Sequence, residues 1–296
     1  MRIGVDLGGT KTEIAVLDGD GTIRLRQRAP TPRSGYDDVI RAIRDLVAMA
    51  DEKIGGAASI GVAIPGTVSR ITGLVKNANS TQLIGHPLDK DLATAIGRPV
   101  RVANDANCFA LSEAQDGAGA GQGVVFGIIA GTGVGGGVCV QGRILEGAHG
   151  IGGEWGHNPL PWPDGNEMTN APPCYCGKRG CIETWCSGTG IAADLLRTDG
   201  LEMTAAEIAV SDDPRASAAM ERFTDRFARA IATMVNFLDP DVIMLGGGLS
   251  NRETLYDALP ALVERYAFKP EGVTRIVKNV HGDSSGVRGA AWLWDA

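Results

Sequence analysis

The sequence predicts an α/β fold in which one structural unit is used twice. Residues 3–17 (IGVDLGGTKTEIAVL) and residues 124–140 (VVFGIIAGTGVGGGVCV) share one design: an apolar run, a turn of Gly and Thr, and a second apolar run. Glycine permits the backbone angles of a tight turn, and Val, Ile and Leu favour strands, so each stretch is predicted to be a β-hairpin. A strand-like segment follows each hairpin, at 58–66 and at 241–249. The repeated order indicates a duplicated domain.

Helical patterns lie between these strands. Apolar residues recur at helical spacing over 36–50 and over 216–238, which predicts two amphipathic helices that belong to the core. A third helix is predicted to begin near Asp105, because Asn104 and Asp105 are both good N-cap residues. The stretch 285–294 (SGVRGAAWLW) is predicted to be a helix that returns to the first half of the chain.

Length and charge limit the classes of protein to consider. A chain of 296 residues exceeds the comfortable size of a single hydrophobic core, so two domains are expected. A net charge of −7 provides no basic field for a phosphate backbone, which disfavours nucleic acid as a partner. No apolar run is long enough to span a membrane and the N-terminus carries no secretion signal, so a cytoplasmic location is expected.

The two glycine turns are candidate phosphate sites. Turns of this type expose backbone N–H groups that suit phosphate oxygens, although each alone could be an ordinary tight turn. Residues 131–136 also match the dinucleotide pattern G-x-G-x-x-G, but the following residues continue as a strand rather than a helix, and no Walker A sequence occurs. Asp6 leads into the first turn and could hold Mg²⁺ directly or through water.

A cysteine-rich segment indicates a metal. Cys174, Cys176 and Cys181 have the close spacing of a thiolate site, and a fourth ligand would complete the tetrahedron that structural Zn²⁺ prefers. His157, His149 and Cys186 are the candidates for that place. A disulfide is disfavoured by the short spacing of the first two cysteines and by the expected reducing compartment. Because a four-ligand site leaves no position for substrate, the metal is expected to be structural. Cys108 and Cys139 fall in predicted helix and strand and are expected to be buried.

Together, several motifs resemble the ROK family of bacterial sugar kinases and related repressors. They are DLGGTK at 6–11, the block 129–153, GEWGH at 153–157 and CYCGKRGCIE at 174–183. The resemblance implies the actin-like, ribonuclease-H-like duplicated α/β fold, with the halves facing a central cleft. Within the family, KNANST at 76–81 and HGDSSGVRGAAWLW at 281–294 look most like bacterial fructokinases of the manno(fructo)kinase type, with N-acetylglucosamine kinases next.

The implied activity is transfer of the γ-phosphoryl group of ATP, with Mg²⁺, to the primary 6-hydroxyl of a hexose. D-fructose is the first choice, with mannose, glucose and N-acetylglucosamine as alternatives. The rival is a sugar-responsive regulator without catalysis. Such regulators carry an N-terminal helix-turn-helix module, whereas the first strand here is predicted to begin at Ile3, and the acidic charge also disfavours DNA binding. Family members often form dimers, so a homodimer is an open alternative.

The resemblance also assigns roles to residues. Asp105, in an Asn-Asp-Ala-Asn motif, corresponds to the catalytic base; from the residues alone it could simply cap a helix. The sugar contacts would be Asn79, Asn104, Asp105, Glu154, His157 and Glu183. The phosphates would contact Asp6, Gly8, Gly9, Thr10, Gly131, Thr132 and Gly133, and the nucleoside Gly247 and Gly248. Lys11 would bind phosphate or only a neighbouring carboxylate.

The resemblance further implies that His157 completes the zinc site with the three cysteines, so that zinc holds the loop carrying Glu154 and Glu183. The second ring nitrogen of His157 could then donate to a sugar hydroxyl. The role of segment 162–173 stays open: it shapes the acceptor pocket or only crosses the surface. The predicted domains are a small α/β domain of 1–112 with 284–296 and a larger α/β domain of 113–283 that contains the zinc-binding loop.

Overall fold

The structure is a computed structural model that describes residues 1–269 and 271–294. Its strands are β1 (Arg2–Leu7), β2 (Lys11–Leu17), β3 (Ile23–Pro30), β4 (Ser59–Ile64), β5 (Thr67–Val68), β6 (Val75–Lys76), β7 (Val100–Asn104), β8 (Val124–Ala130), β9 (Val134–Val140), β10 (Arg143–Ile144), β11 (Val242–Gly246) and β12 (Ile276–Lys278). Its α-helices are α1 (Tyr36–Ile54), α2 (Leu88–Ile96), α3 (Asp105–Asp116), α4 (Gly165–Thr169), α5 (Glu183–Cys186), α6 (Gly188–Asp199), α7 (Ala205–Val210), α8 (Pro214–Leu238), α9 (Thr254–Tyr266) and α10 (Ser285–Trp292).

Two five-stranded sheets repeat one topology. The first has the order β3-β2-β1-β4-β7, and the second has the order β10-β9-β8-β11-β12. In the first sheet, β1 is antiparallel to β2 and parallel to β4. In the second, β8 is parallel to β11, the strand that occupies the place of β4. The predicted hairpins and the strands after them are therefore confirmed, as is the duplication. The strand that follows the second glycine turn also confirms that this turn is not a Rossmann loop.

The chain divides into two compact units. The first unit contains residues 1–120, 137–152 and 283–296, and the second contains residues 121–136 and 153–282. Residues 270, 295 and 296, which the predicted domains include, lie outside the described residues. The predicted domain limits stay a prediction.

In the core of the first unit, α1 packs on the sheet of that unit. Val39 and Ile43 on α1 are fully buried in one cluster with Val5 of β1 and Val62 of β4. Helix α10 packs on β1 and β4, which confirms the predicted return of the chain to the first half. This contact requires glycine at position 61, because a Cβ atom there would lie 1.8 Å from the carbonyl oxygen of Ala290.

The core of the second unit is built around α8. Asp213 caps this helix through the backbone N–H of Arg215, and Pro occupies the first turn, where it costs no hydrogen bond. Phe223 and Phe227 are buried on its apolar face. The ring of Trp155 packs 6.1 Å from that of Phe227, so the core reaches the segment that carries candidate site residues.

No helix in the described ranges, 1–269 and 271–294, is long and apolar enough to cross a membrane. The expected cytoplasmic location and the expected lack of a membrane partner stay predictions.

Candidate active site and metal centre

The first glycine turn joins β1 to β2. The backbone N–H of Gly8 donates to the carbonyl of Lys11 at 3.0 Å, which closes the turn. The hydroxyl of Thr31, the residue after β3, donates to the carbonyl of Gly8 at 2.7 Å and supports the turn. Gly9, Thr10 and Lys11 are exposed, as a phosphate-binding turn requires. Sequence reasoning missed Thr31, which gives no motif signal.

Asp6 lies at the end of β1 in a group of carboxylates. Its burial, followed by the negative charges of Asp105 and Glu13, raises the pKa of Asp6 to about 7, while the charges of Lys11 and Arg28 lower it. The structure therefore brings Asp6 and Asp105 together within the first unit. Oxygen donors with excess negative charge fit a divalent cation such as Mg²⁺. The positive charge of Lys11 acts on Asp6, and the choice between the two predicted roles of Lys11 stays a prediction.

Asp105 stands at the junction of β7 and α3. The side chain of Asn104 is the N-cap: its oxygen accepts from the backbone N–H groups of Ala106 at 2.9 Å and Asn107 at 3.2 Å. Its amide donates to the carbonyl of Gly66 at 3.2 Å. The helix prediction is confirmed, and capping explains the presence of Asn104. The carboxylate of Asp105 accepts from the N–H of Ala106 at 2.8 Å, which orients it at the start of the helix.

Asn79 is the most exposed of the predicted sugar contacts in the first unit. It is exposed in the loop after β6. The adjacent Ser80 approaches the first glycine turn, since its hydroxyl oxygen would lie 3.7 Å from a Cβ atom at Gly9. The loop of Asn79 therefore borders the candidate phosphate site.

The second glycine turn joins β8 to β9 and is supported by a helix. The N–H of Gly131 donates to the carbonyl of Gly133 at 2.9 Å. The N–H of Gly188, at the start of α6, donates to the carbonyl of Gly131 at 2.7 Å. The hydroxyl of Thr189 donates to the carbonyl of Thr132 at 2.9 Å. Sequence reasoning missed Gly188 and Thr189, although the SGTG stretch at 187–190 carries an N-cap signal.

Gly247 and Gly248 follow β11 and lie beside this turn. Gly247 adopts φ of 81°, and a Cβ atom there would lie 2.5 Å from the carbonyl oxygen of Ala130, the last residue of β8. Only glycine fits such a position. The structure thus brings the predicted nucleoside contacts next to one of the two predicted phosphate turns.

Glu183 connects the second glycine turn to the cysteine-rich segment. It is the first residue of α5, and its carboxylate accepts from the backbone N–H of Val134 at 3.2 Å. Glu154 precedes the short 3-10 turn Trp155–His157 and is exposed. A carboxylate oxygen of Glu154 lies 4.0 Å from Nε2 of His157. Two carboxylates, which can accept hydrogen bonds from hydroxyl groups, therefore lie in this part of the second unit.

The metal-binding prediction matches one group of side chains. The ligand atoms of His157, Cys174, Cys176 and Cys181 all lie within 4.8 Å of one another. Nδ1 of His157 is 3.6 Å from Sγ of Cys174, and Sγ of Cys176 is 3.6 Å from Sγ of Cys181. Two sulfurs on a tetrahedral zinc are about 3.8 Å apart, and a disulfide is about 2 Å long, so the spacing fits zinc and not a disulfide.

Of the three candidates for the fourth ligand, His157 is the one that lies in this group of side chains. Among the residues that the structure describes, the group of potential metal ligands includes neither His149 nor Cys186. Cys186 is fully buried, and so is the neighbouring Trp185. Cys108 and Cys139 are also buried, as predicted.

Tyr175 was not predicted, and it contacts His157, one of the candidate metal ligands. Its hydroxyl lies 2.9 Å from Nε2 of His157, the nitrogen that sequence reasoning expects to face a sugar. The side chain as a whole is exposed, but burial of its hydroxyl, followed by the charges of Glu183 and Glu154, raises the pKa of Tyr175 to about 12. When Nδ1 holds a metal, Nε2 keeps its proton and donates to this oxygen. The position of Tyr175 between two cysteines was the available signal.

Comparison with known proteins shows the family to which this chain belongs. The profile of the ROK family matches residues 2–296. The chain belongs to the ROK family. An N-acetyl-D-glucosamine kinase of Yersinia pseudotuberculosis serotype O:1b (strain IP 31758) is 41% identical over 300 residues, which cover 99% of this chain and 98% of that protein. The predicted first rank of fructokinases is not supported, because such relatives carry the name N-acetyl-D-glucosamine kinase.

Solved structures agree on the fold. A ROK hexokinase from Thermus thermophilus superposes with a TM-score of 0.87 at 31% identity, covering 99% of this chain and 97% of that one. A ROK family glucokinase from Streptomyces griseus, in complex with glucose and AMPPNP, gives 0.77 at 28% identity over 99% and 98% of the two chains. The predicted actin-like duplicated α/β fold is confirmed.

Proposed function

We propose that this ROK protein is an ATP-dependent kinase that phosphorylates the 6-hydroxyl of N-acetyl-D-glucosamine. The observation that carries the proposal is the 41% identity to an N-acetyl-D-glucosamine kinase over 99% of the chain. This chain also contains all of the candidate residues for binding phosphate, for the catalytic base and for binding sugar. N-acetyl-D-glucosamine replaces D-fructose as the first choice, because relatives 41% and 40% identical over 99% of the chain carry the name N-acetyl-D-glucosamine kinase.

Asp105 is the proposed base. Phosphoryl transfer needs an acceptor oxygen held in line with the γ-phosphate and a group that takes its proton. The carboxylate of Asp105 is oriented at the start of α3 and lies near Asp6. Its proton-accepting role is worth about 10²–10⁴ in rate.

The two glycine turns are the proposed phosphate contacts, with Gly247 and Gly248 beside the nucleoside. Support comes from the exposed residues of both turns and from the packing of Gly247 against the end of β8. Asp6 is the proposed ligand of Mg²⁺, directly or through water. Mg²⁺, when bound, neutralises charge on the phosphates. Lys11 offsets the negative charge around Asp6.

Asn79, Asn104, Glu154 and Glu183 are the proposed sugar contacts. The expected contact of His157 with a sugar hydroxyl is not proposed, because its two ring nitrogens face Cys174 and Tyr175. Carboxylates and amides can satisfy neighbouring hydroxyls, and the acetamido group adds a carbonyl and an N–H to recognise. His157, Cys174, Cys176 and Cys181 would hold a structural Zn²⁺ that fixes both ends of the loop between 157 and 174. The contact of Nε2 with Tyr175 places that tyrosine beside the proposed sugar contacts.

A coupled assay with ATP and Mg²⁺ tests the proposal. The kcat/KM values for N-acetylglucosamine, glucose, mannose and fructose are compared under one condition. We expect N-acetylglucosamine to exceed the others by about tenfold or more. A clear preference for fructose would contradict the choice of substrate. Absence of phosphorylation of all four sugars, with sugar binding retained in calorimetry, would support the non-catalytic regulator instead.

A further inference from the structure

Segment 158–173 joins two zinc-ligand positions and contains a buried carboxylate. Helix α4 within it has a capping box: Asp164 accepts from the N–H of Glu167 at 2.7 Å, and Glu167 accepts from the N–H of Asp164 at 3.0 Å. A capping box needs no burial, yet Glu167 is only 4% exposed. An acidic side chain at this depth requires cationic partners.

Two arginines on α8 supply these partners. Arg226 Nε donates to Oε1 of Glu167 at 2.7 Å. Arg229 donates from one amino group to Oε1 at 2.8 Å and from the other to Oε2 at 2.9 Å. Both guanidinium groups are buried, with side-chain exposure of 6% and 7%. Because the fork of Arg229 matches the carboxylate plane, the pair fixes orientation as well as distance.

Arg229 also holds the backbone of the segment directly. Its guanidinium donates to the carbonyl of Trp162 at 2.8 Å and to that of Pro161 at 3.2 Å. Trp162 has φ of 43°, a left-handed conformation that is costly for a bulky residue and persists only when its surroundings impose it. Its ring stacks on Tyr266 with centroids 5.9 Å apart. The segment is therefore held in one conformation rather than crossing the surface freely.

Arg226 extends the network to the helix of Glu183. Its guanidinium carbon lies 4.5 Å from the centroid of the buried ring of Trp185 in α5. A further amino group of Arg226 lies 2.9 Å from Asp194, which keeps the stacked geometry. Helix α5 begins at Glu183, whose carboxylate accepts from the N–H of Val134 beside the second glycine turn. The stacking of Arg226 on Trp185 therefore helps to fix the position of a proposed sugar contact and of that turn.

We infer that Glu167 is a positioning residue for the acceptor site: its paired arginines fix segment 158–173 and, through Trp185, the helix that presents Glu183. This inference rests on the proposed sugar kinase function. Loss of the carboxylate leaves two buried guanidinium groups short of an acceptor, so both elements must shift. Loss of the Glu167 carboxylate is therefore expected to weaken sugar binding, although Glu167 is not itself a proposed sugar contact.

The variant Glu167→Gln tests the inference, with Glu207→Gln as its matched control. Glu207 forms the same type of capping box with Thr204 in α7 and is exposed. For E167Q we expect the KM for the sugar to rise about tenfold, while the KM for ATP changes by less than about twofold. E207Q should change neither. An unchanged sugar KM in folded E167Q, or equal rises in both KM values, would overturn the inference.

Amide hydrogen exchange gives a readout that does not depend on activity. In E167Q, protection should fall in 158–173 and in 183–186, with the cores of both sheets unchanged. If E167Q does not fold, Arg226→Lys serves instead, because lysine keeps the charge but cannot stack as a planar guanidinium on Trp185. R226K should lose protection mainly in 183–186, because Arg229 still holds both carboxylate oxygens of Glu167.

The two failures can be told apart. If the wild-type protein phosphorylates none of the sugars, the proposed function is wrong. Amide hydrogen exchange in 158–173 and 183–186 then still decides whether Glu167 fixes these elements. Unchanged exchange in both segments of E167Q, or in 183–186 of R226K if E167Q is unfolded, overturns the inference whatever the activity.

Discussion

Acidification should selectively remove the stability that Glu167 contributes. Burial raises the pKa of Glu167, but hydrogen bonds from Arg229, Arg226 and the backbone of Asp164 outweigh it and lower the pKa from 4.5 to about 2. Folding thus weakens proton binding at this carboxyl. Its contribution is complete above about pH 4.5 and disappears as the pH falls through about 2, and it amounts to about 3 kcal/mol in total. Roughly 1 kcal/mol of it should be lost by about pH 3.5.

The measurement is the free energy of unfolding by urea for wild type and E167Q at about pH 7 and about pH 3.5. Glutamine does not titrate in this range, so the advantage of wild type over E167Q should shrink by roughly 1 kcal/mol on acidification. If the proposed zinc is bound, its loss at low pH would affect both proteins and cancel in the difference. An advantage that stays constant between the two pH values would refute the assigned pKa and the ion pairs behind it.

Three further outcomes test the site. Asp105→Asn should lower kcat by about 10²–10⁴ with ATP affinity, from titration calorimetry, within about twofold; near-normal kcat would remove Asp105 as the base. Cys176→Ser should lose the bound zinc in metal analysis and lower the Tm, whereas Cys139→Ser, outside the ligand group, should keep its metal; full zinc in C176S would contradict the site. Gly247→Ala should destabilise the fold by about 1–3 kcal/mol in urea unfolding and raise the KM for ATP, while Gly19→Ala, where a Cβ atom meets nothing within 4 Å, should do neither; equal stability of the two variants would exclude the close contact with Ala130.

The repeated parts of the fold could be predicted because their signals are local. A glycine turn between two apolar runs specifies a hairpin within a few residues, and the helices at Tyr36 and Pro214 show regular apolar spacing. Strand β3 was not predicted. Its residues alternate between partly buried and exposed with many charges, because it lies at the edge of its sheet and packs on one face only.

Beside the three cysteines of the proposed zinc site, sequence offered three candidates for a fourth ligand, and the resemblance chose His157. Spacing alone could not decide, because His157 lies 17 positions before Cys174 and reaches it only through the folded loop. Thr189 and Tyr175 were missed for a related reason. Their contacts to Thr132 and His157 depend on how separate loops meet, and neither residue type is distinctive in a loop.

Glu167 shows most clearly where sequence reasoning ends. In PDGNEMTN it has the appearance of a solvated loop residue, and its arginine partners lie 59 and 62 positions later. Arg226 and Arg229 in turn look like polar residues on an amphipathic helix, although both are buried. A zinc ion at the ends of segment 157–174 would limit the span of the loop but not the conformation of its middle, since closing a loop leaves most of its internal freedom. The second attachment at Glu167 restrains that middle, which is what an acceptor site of defined geometry requires.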